Sequence, residues 1–189
     1  PLDRGTYTIN NTRIADLNIK SLQTKIGYIT QDPVIFNDSL FSNVTFWDEK
    51  NENNLRKFTK AIKQAAIFDF VQTLEEKEDT ILGSNGMNLS GGQRQRISIA
   101  RELYKEIEIL ILDEATSALD SETENAIQQN INELKGEYTI LIVAHRIATI
   151  KNADRIVVMK NGQLSHVNTF ENLIVESPYF KKLVELQEI

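Results

Sequence analysis

Two adjacent carboxylates follow a strongly apolar segment near the middle of the chain. Residues 109–112 read Ile-Leu-Ile-Leu, and Asp113 and Glu114 come directly after them. A buried strand with this composition would place both carboxylates at its carboxyl end, beside the crevice in which α/β folds bind ligands. Acidic residues also end many strands in plain solvated turns, so this segment alone favours neither interpretation. If the ligand is a nucleotide, Asp113 would hold Mg²⁺, usually through water, and Glu114 would polarise the attacking water.

A second group of residues has the composition of a phosphate-binding helix start. Ser90 and Gln93 have the spacing of a capping box, in which a hydroxyl and an amide satisfy free backbone N–H groups. Capping does not account for Gly91 and Gly92, since glycine costs backbone entropy in a first helical turn. The absence of their side chains would let a phosphate approach the N–H groups and the positive end of the helix. Phosphate binding is therefore favoured over capping alone.

Two single residues complete the candidate set. His145 follows the apolar segment 139–143, and a lone histidine is more often structural than catalytic. Because its strand should end beside that of the two carboxylates, a bond from its imidazole to a γ-phosphate has about even weight with a structural role. Gln31 follows the segment 28–30 and precedes an Asp-Pro pair, and in isolation it indicates only a turn.

The elements that must position these residues fall into three stretches. Residues 1–37 show short strand patterns, residues 38–88 are mostly helical, and from Leu89 onward helices alternate with strands. Strands are predicted over residues 6–9, 13–14, 25–30, 107–112, 139–143 and 155–159, and helices over residues 92–104, 122–134, 170–175 and 179–186. In the second stretch, one buried helical face is predicted at Leu55, Phe58, Ile62, Ala66 and Phe70.

The last three predicted strands are nearly continuous apolar runs. Such runs are typical of strands with helices over both faces, whereas a strand with one wet face alternates apolar and polar residues. The alternation of these strands with helices predicts a doubly wound parallel sheet, with its chemistry at the carboxyl ends of the strands.

Composition and charge exclude several classes of protein. The chain has 189 residues, of which 41% are hydrophobic, enough for the core of one domain. Its net charge of -6 argues against a nucleic-acid partner, which would require a basic surface. The absence of cysteine excludes disulfides and thiolate metal sites. No apolar run reaches the ~20 residues of a bilayer-spanning helix, so any membrane role is expected to be peripheral or to belong to another segment.

In their order and spacing, these motifs resemble the ATP-binding domain of ABC transporters. Residues 89–101 resemble the signature motif and its helix, and residues 110–120 look like the Walker B motif running into the D-loop. His145 matches the switch histidine, and residues 28–33 resemble the Q-loop. The resemblance covers essentially the whole chain. Residues 31–44 resemble exporters in particular, in which membrane and ATPase segments commonly share one polypeptide.

The resemblance implies an α/β fold, the P-loop NTPase-like ABC ATPase domain. It implies a mostly parallel sheet core built from about residues 1–37 and 105–189, with antiparallel strands at the N-terminal end. Residues 38–104 would form a helical subdomain that carries the signature motif.

The resemblance also implies an ATPase that powers transmembrane transport. Two such domains would form a head-to-tail dimer with two ATP molecules between them, and hydrolysis would separate the dimer. The expected partners are therefore a second ATPase domain and membrane-spanning domains, at the cytoplasmic face of the cell membrane.

Residue roles follow from the same resemblance. The expected catalytic residues are Glu114, His145 and Gln31, and the expected Mg²⁺ ligands are Asp113 and Gln31. The residues expected to cover the ATP of the partner domain are Ser90, Gly91, Gly92 and Gln93. Communication across the dimer interface is expected from Asp120.

The chain departs from the family pattern in one place. It contains no Gly-x-x-x-x-Gly-Lys followed by Ser or Thr, the loop whose backbone N–H groups and lysine hold phosphates. Residues 1–9 resemble the strand that follows the phosphate-loop helix in the family. The loop is therefore expected upstream of them, and the 189 residues alone are expected to be inactive.

Two alternatives come from other classes of function. The first is a non-catalytic remnant that lost its phosphate loop and serves as an interaction module, against which the intact Glu114 and His145 argue. The second is a soluble ABC ATPase acting on nucleic acid or ribosomes. A basic surface or a coiled-coil insertion would be expected for it, and neither appears in the sequence.

Overall fold

A computed structural model of the chain describes residues 5–115 and 121–187. In this part of the chain the strands are Thr8–Ile9 (β1), Thr12–Arg13 (β2), Ile26–Ile29 (β3), Ile109–Asp113 (β4), Thr139–Val143 (β5), Ile156–Lys160 (β6) and Gln163–Asn168 (β7). The α-helices are Ile19–Gln23 (α1), Leu40–Thr45 (α2), Glu52–Gln64 (α3), Phe68–Thr73 (α4), Gly91–Tyr104 (α5), Ser121–Glu133 (α6), Ile147–Ile150 (α7), Phe170–Glu176 (α8) and Pro178–Gln187 (α9). Single turns of 3₁₀ helix lie at Ile14–Asp16, Lys77–Asp79 and Ser84–Gly86.

Three parallel strands form the central sheet, in the order β3-β4-β5. Ile29 is the register partner of Leu112, and Asp113 is that of Val143, so the three strands end at the same edge. The antiparallel pairs β1-β2 and β6-β7 are separate from this sheet within the described residues. A parallel sheet with helices and an antiparallel first pair is the fold predicted from the sequence.

One face of the sheet is buried in the main core. Leu110 and Leu112 of β4 are 0% and 2% exposed, and they belong to one apolar cluster with Ile97 of α5. β3 approaches α5 closely at Gly27, where an added Cβ would lie 3.0 Å from Cβ of Glu102. The strand that carries the candidate carboxylates is therefore held by the helix that begins at the signature residues.

The prediction that helices cover both faces of the sheet was wrong for the described residues. Tyr28, Ile111 and Leu141 are register partners on the face opposite to the core. The exposed fractions there are 49% at Tyr28, 55% at Leu141 and 47% at Val143. The described helices pack on the other face, so the apolar character of these strands belongs partly to a surface that those helices leave open.

Every predicted strand, and every predicted helix after Leu89, lies within two residues of its observed bounds. The sequence missed α1, which has only five residues. Asn18 caps this helix by accepting a hydrogen bond from the backbone N–H of Ser21 at 3.2 Å. None of its residues is buried, so it has no apolar face that a periodic pattern would reveal.

The predicted helical face in the second stretch needs one correction. Phe58 and Ile62 are buried on α3, as predicted, but the helix ends at Gln64. Ala66 is exposed and has a left-handed φ of 47°, while its neighbour Ala65 is buried. The chain reverses here before α4 begins, and this break shifts the buried position by one residue.

A buried arginine joins α5 to the segment that follows β3. Arg101 donates from Nε to the backbone carbonyl of Asn43 at 2.7 Å. Its guanidinium lies 5.4 Å from the ring centre of Phe36 and 5.2 Å from that of Phe46. Burial lowers the pKa of this guanidinium, and the carbonyl and the two rings replace part of its lost hydration. The segment 36–46 is thereby fixed to the signature helix.

A second, smaller core lies in the C-terminal part of the chain. It consists of buried side chains from β6, α8 and α9, namely Ile156, Val158, Phe170, Leu173, Phe180 and Val184. Ile147 and Ile150 of α7 pack against it. The apolar side chains of the short helix that follows β5 are therefore supported by the C-terminal core.

Tyr104 offers a test of the packing at the end of α5. Its hydroxyl donates to Oδ2 of Asp48 at 2.8 Å, and its pKa is raised, first by burial and then by this hydrogen bond. A pKa raised in the folded state stabilises the protein fully below the unfolded pKa of about 10 and progressively less above it. We expect Tyr104→Phe to lower the free energy of unfolding by about 1 kcal/mol at pH 7. Above pH 10 the difference from the wild type should shrink.

Urea unfolding at pH 7 and at pH 10.5 measures both effects. Tyr7→Phe is the matched control, because Tyr7 is exposed and its hydroxyl has no hydrogen-bond partner among the described residues. A loss in Tyr104→Phe that is independent of pH would contradict the assignment.

Candidate active site

The carboxylates lie where the sequence predicts them, at the carboxyl end of the middle strand. Asp113 is the last residue of β4, and the backbone N–H of Glu114 continues the ladder by donating to the carbonyl of Val143 at 3.0 Å. Glu114 then takes a left-handed φ of 52°. This conformation is uncommon for a residue with a side chain and tends to occur where function requires it. It turns the chain sharply at the edge of the sheet.

The structure brings Glu114 and His145 into direct contact. Oε1 of Glu114 lies 2.7 Å from Nε2 of His145, a hydrogen-bond distance. The two residues are adjacent because β4 and β5 are parallel neighbours that end together. The side chain of His145 is 73% exposed, so this contact leaves its imidazole accessible to a ligand at the sheet edge.

Tyr28 is a site residue that the sequence did not reveal. Its hydroxyl donates to Oδ2 of Asp113 at 2.5 Å, and this bond raises the pKa of the tyrosine. Its backbone N–H donates to Oε2 of Glu102 on α5 at 3.3 Å. The register pairs Tyr28 with Ile111, two residues before Asp113, so its side chain must lean along the strand to reach the carboxylate. Only knowledge of that register would have identified it.

The carboxylate of Asp113 suits a magnesium ion in part. No hydrogen bond from the described residues reaches its Oδ1, which leaves one oxygen for a cation or its water. The described residues contain no cluster of three or more acidic or histidine side chains that would form a complete protein cage. Mg²⁺ typically takes one or two carboxylates together with phosphate oxygens and water. One carboxylate at an open strand end fits that pattern.

Gln31 lies at the same edge, but among the described residues its side chain forms no hydrogen bond with the carboxylates. It is the second residue after the end of β3, and its side chain is exposed. Its neighbour Thr30 is held from α5, because Gln95 donates from Nε2 to the Thr30 carbonyl at 3.4 Å. Gln95 is only 1% exposed, and sequence reasoning did not single it out.

The signature residues form the capping box that their spacing predicts. Oγ of Ser90 accepts from the backbone N–H of Gln93 at 3.2 Å, and Oε1 of Gln93 accepts from the backbone N–H of Ser90 at 2.8 Å. No hydrogen bond links Ser90 or Gln93 to Asp113, Glu114 or His145 among the described residues. The carboxylate group and the helix start are thus separate features of this chain.

Gly92 has a packing role that the sequence did not suggest. An added Cβ at this position would lie 2.2 Å from Cγ2 of Thr123, so the first turn of α5 approaches α6 more closely than any side chain allows. The inference that both glycines exist to admit phosphate was therefore incomplete for Gly92, which is needed for helix contact. Gly91 is half-buried at the same helix start.

The residue after His145 is anchored to α6. Arg146 forms an ion pair with Glu124, whose side chain is almost fully buried. Thr149 of α7 also donates from Oγ1 to this carboxylate, at 3.1 Å. The loop that carries the histidine is therefore fixed to the helix that follows residues 116–120. Asp120 itself lies outside the described residues.

Comparison with known families identifies the kind of domain. Among the helices of the described ranges, none is both long and apolar enough to cross a membrane. A family model described as ABC transporter matches residues 1–117. The chain belongs to the ABC transporter family. The matches to ABC transporter proteins cover nearly all of this chain but only part of each relative.

Three relatives illustrate this relation. The chain is 41% identical over 184 residues to the ATP-dependent lipid A-core flippase of Ralstonia nicotianae, a match that covers 97% of the chain and 31% of that protein. It is 40% identical over 198 residues to the sophorolipid transporter of Starmerella bombicola, which covers 100% of the chain and 15% of that protein. A solved bacterial Atm1-family ABC exporter with ATP bound matches with a TM-score of 0.84 and 33% identity, over 98% of the chain and 32% of that structure. The chain spans about a third or less of these relatives, and the structural match confirms the predicted ABC ATPase fold.

The contact between α5 and α6 leads to a stability prediction. Gly92→Ala should lower the free energy of unfolding by about 1–3 kcal/mol, because the new methyl group would overlap Cγ2 of Thr123. Urea unfolding followed by circular dichroism measures the loss. Thr123→Ser removes that methyl group and should restore most of the stability in the double variant. Equal losses with Thr and Ser at position 123 would show that the packing explanation is wrong.

Proposed function

We propose that this chain is the ATP-binding and ATP-hydrolysing domain of an exporter-type ABC transporter. The observation that carries the proposal is the 2.7 Å contact between Glu114 and His145, at the ends of adjacent parallel strands and beside Asp113. An acid–base pair at the carboxyl edge of a parallel sheet suits a reaction that needs an oriented water and a hydrogen-bond donor.

The proposed reaction is attack of water on the γ-phosphorus of ATP. Glu114 orients the water and accepts its proton, the new P–O bond forms, and the bond from the γ-phosphorus to the bridging oxygen breaks. ADP and phosphate are the products. His145, accessible beside Glu114, donates a hydrogen bond to a γ-phosphate oxygen and stabilises the charge that develops there.

Asp113 and Gln31 are the residues that would hold Mg²⁺. The ion would neutralise the negative charge of the β- and γ-phosphates. Within the described residues, Oδ1 of Asp113 accepts no hydrogen bond, which supports this assignment. Tyr28 holds the other oxygen, so the carboxylate is oriented in advance. Gln31 is exposed at the same edge, where its amide oxygen can turn toward an ion.

The signature residues are proposed to act on the ATP of a second copy or a related domain. Ser90 accepts a hydrogen bond from Gln93, which leaves its own hydroxyl proton available for a phosphate oxygen. Gly91, which is half-buried, leaves room for a phosphate at this helix start, and Gly92 is proposed to contribute through its backbone. Asp120 is proposed to communicate between the two sites of a head-to-tail dimer. This arrangement accounts for a helix start that, in the described part of the chain, forms no hydrogen bond with the carboxylates.

Membrane-spanning domains are the second proposed partner, at the cytoplasmic face of the cell membrane. The three relatives are named as a flippase, a transporter and an exporter, and each is several times longer than this chain. A phosphate-binding loop is proposed to come from the longer polypeptide as well. We further propose that residues 1–37 and 105–189 form the ATPase core, and that residues 38–104 form the helical subdomain facing the membrane domains. The exposed aromatic side chains of Phe46 and Trp47 support this orientation.

The role of Glu114 is tested by Glu114→Gln in the full-length protein. The amide keeps the size of the side chain but cannot accept the proton of the attacking water. Hydrolysis should fall by a factor on the order of a hundred or more, while ATP binding persists. Phosphate release and equilibrium ATP binding measure the two quantities. Turnover close to that of the wild type would remove Glu114 from the mechanism.

The role of Ser90 across the dimer is tested by Ser90→Arg. A long cation at this helix start should block closure of the dimer and abolish hydrolysis, while each domain still binds ATP. Asn51→Arg is the matched control, since Asn51 caps α3 in the same way, by accepting from the N–H of Asn54 at 3.0 Å, on an exposed surface. Sedimentation with ATP measures dimer formation. Normal hydrolysis by Ser90→Arg would exclude the proposed contact in trans.

A further inference from the structure

The last helix contacts the backbone on both sides of Arg146. Nε2 of Gln187 donates to the carbonyl of His145 at 2.9 Å, and Oε1 of Gln187 accepts from the backbone N–H of Ile147 at 2.7 Å. A single amide thus uses its donor and its acceptor on the loop that carries the candidate histidine. The two partners are 42 and 40 residues away in sequence.

The residues next to α7 do not supply the capping hydrogen bond that Gln187 makes. The first N–H groups of a helix have no partner within the helix and need a cap. α7 begins at Ile147, and the residue at its N-cap position, Arg146, makes no capping hydrogen bond with its side chain. That side chain is instead paired with Glu124. The acceptor for the N–H of Ile147 therefore comes from the C-terminal helix.

The helix that carries Gln187 is held firmly behind this loop. Phe180 and Val184 of α9 are 2% and 6% exposed in the smaller core. Ile147 and Ile150 of α7 pack against the same core. Apolar packing therefore sets the distance between the two helices, and the two hydrogen bonds of Gln187 set the position of the loop along them.

The loop between β5 and α7 is short, so its backbone decides where the imidazole lies. Three residues separate the end of β5 from the start of α7, and His145 is the middle one. Its side chain reaches Oε1 of Glu114 at 2.7 Å. A shift of the loop by about 1 Å away from Glu114 would lengthen this contact beyond hydrogen-bond range.

We propose that Gln187 is a positioning residue for His145. Its amide clamps the carbonyl of His145 and the N–H of Ile147, and it thereby holds the imidazole against Glu114. The consequence for catalysis rests on the proposed function of His145, whereas the clamp itself does not. The C-terminal helix becomes part of the active site through this contact, without touching the substrate.

The test is Gln187→Leu in the full-length protein, which keeps the approximate size of the side chain and removes both hydrogen bonds. Gln163→Leu on β7 is the matched control, because Gln163 is exposed and its side chain makes no hydrogen bond among the described residues. Hydrogen exchange of the peptide that contains Ile147 reports on the clamp, and ATP hydrolysis reports on its consequence.

We expect Gln187→Leu to speed exchange in that peptide by on the order of tenfold, with other peptides unchanged. The kcat for ATP should fall to a similar degree while KM stays near that of the wild type, since the nucleotide contacts remain. Gln163→Leu should change neither quantity. Unchanged exchange at Ile147, or faster exchange throughout the C-terminal core, would overturn the proposal.

A third variant separates the clamp from the proposed function. If His145→Ala retains full hydrolysis, the catalytic role proposed for His145 is wrong, yet the exchange of the Ile147 peptide in Gln187→Leu still decides on the clamp. If His145→Ala abolishes hydrolysis and Gln187→Leu has the kcat of the wild type, the positioning role is wrong and the proposed function stands.

Discussion

The parallel register of β3, β4 and β5 is the constraint on which the candidate site depends. Because the three strands run in one direction and end together, residues from three distant segments emerge at one edge. A slip of β4 by one residue would turn Asp113 toward the buried face and separate Glu114 from His145. The contacts of Tyr28 and His145 with the two carboxylates are secondary consequences of this pairing.

The helix α5 connects these three strands to the rest of the domain. It begins at the signature residues, and farther along it reaches the segment around β3 through the side chains of Gln95, Arg101 and Glu102. Gly27 and Gly92 allow the close approaches on either side of this helix. A displacement of α5 would therefore disturb both β3, the strand whose Tyr28 contacts Asp113, and α6. The helix links the edge that carries the candidate site with the surface proposed to meet a second domain.

The sequence predicted correctly those helices and strands whose own composition or periodicity is distinctive. β4 and β5 are uniformly apolar and α5 is a long helix, and each carries site residues at an end, so their positions and those of Glu114 and His145 could be predicted. The roles of Tyr28 and Gln187 could not, because each depends on a neighbour in space that only the strand register or helix packing defines. Gly92 was only partly understood for the same reason, since its closest neighbour, Thr123, lies on another helix. The uniformly apolar strands led to the wrong prediction that helices cover both faces of the sheet. Apolar composition alone does not show which element covers each face.

His145 depends on a second core in addition to the main one, and this affects how the protein would respond to heat. Glu114 follows directly from β4 in the main core. The loop of His145 is joined to the main core through β5 and α6, and the helix after it also packs on the smaller C-terminal cluster. A small cluster buries less apolar surface and opens more readily than a large one. Thermal inactivation would then begin as the C-terminal helices loosen and the imidazole drifts from its carboxylate, at temperatures where the central sheet is still intact. The heat tolerance of this candidate catalytic pair is set by the less stable of the two cores.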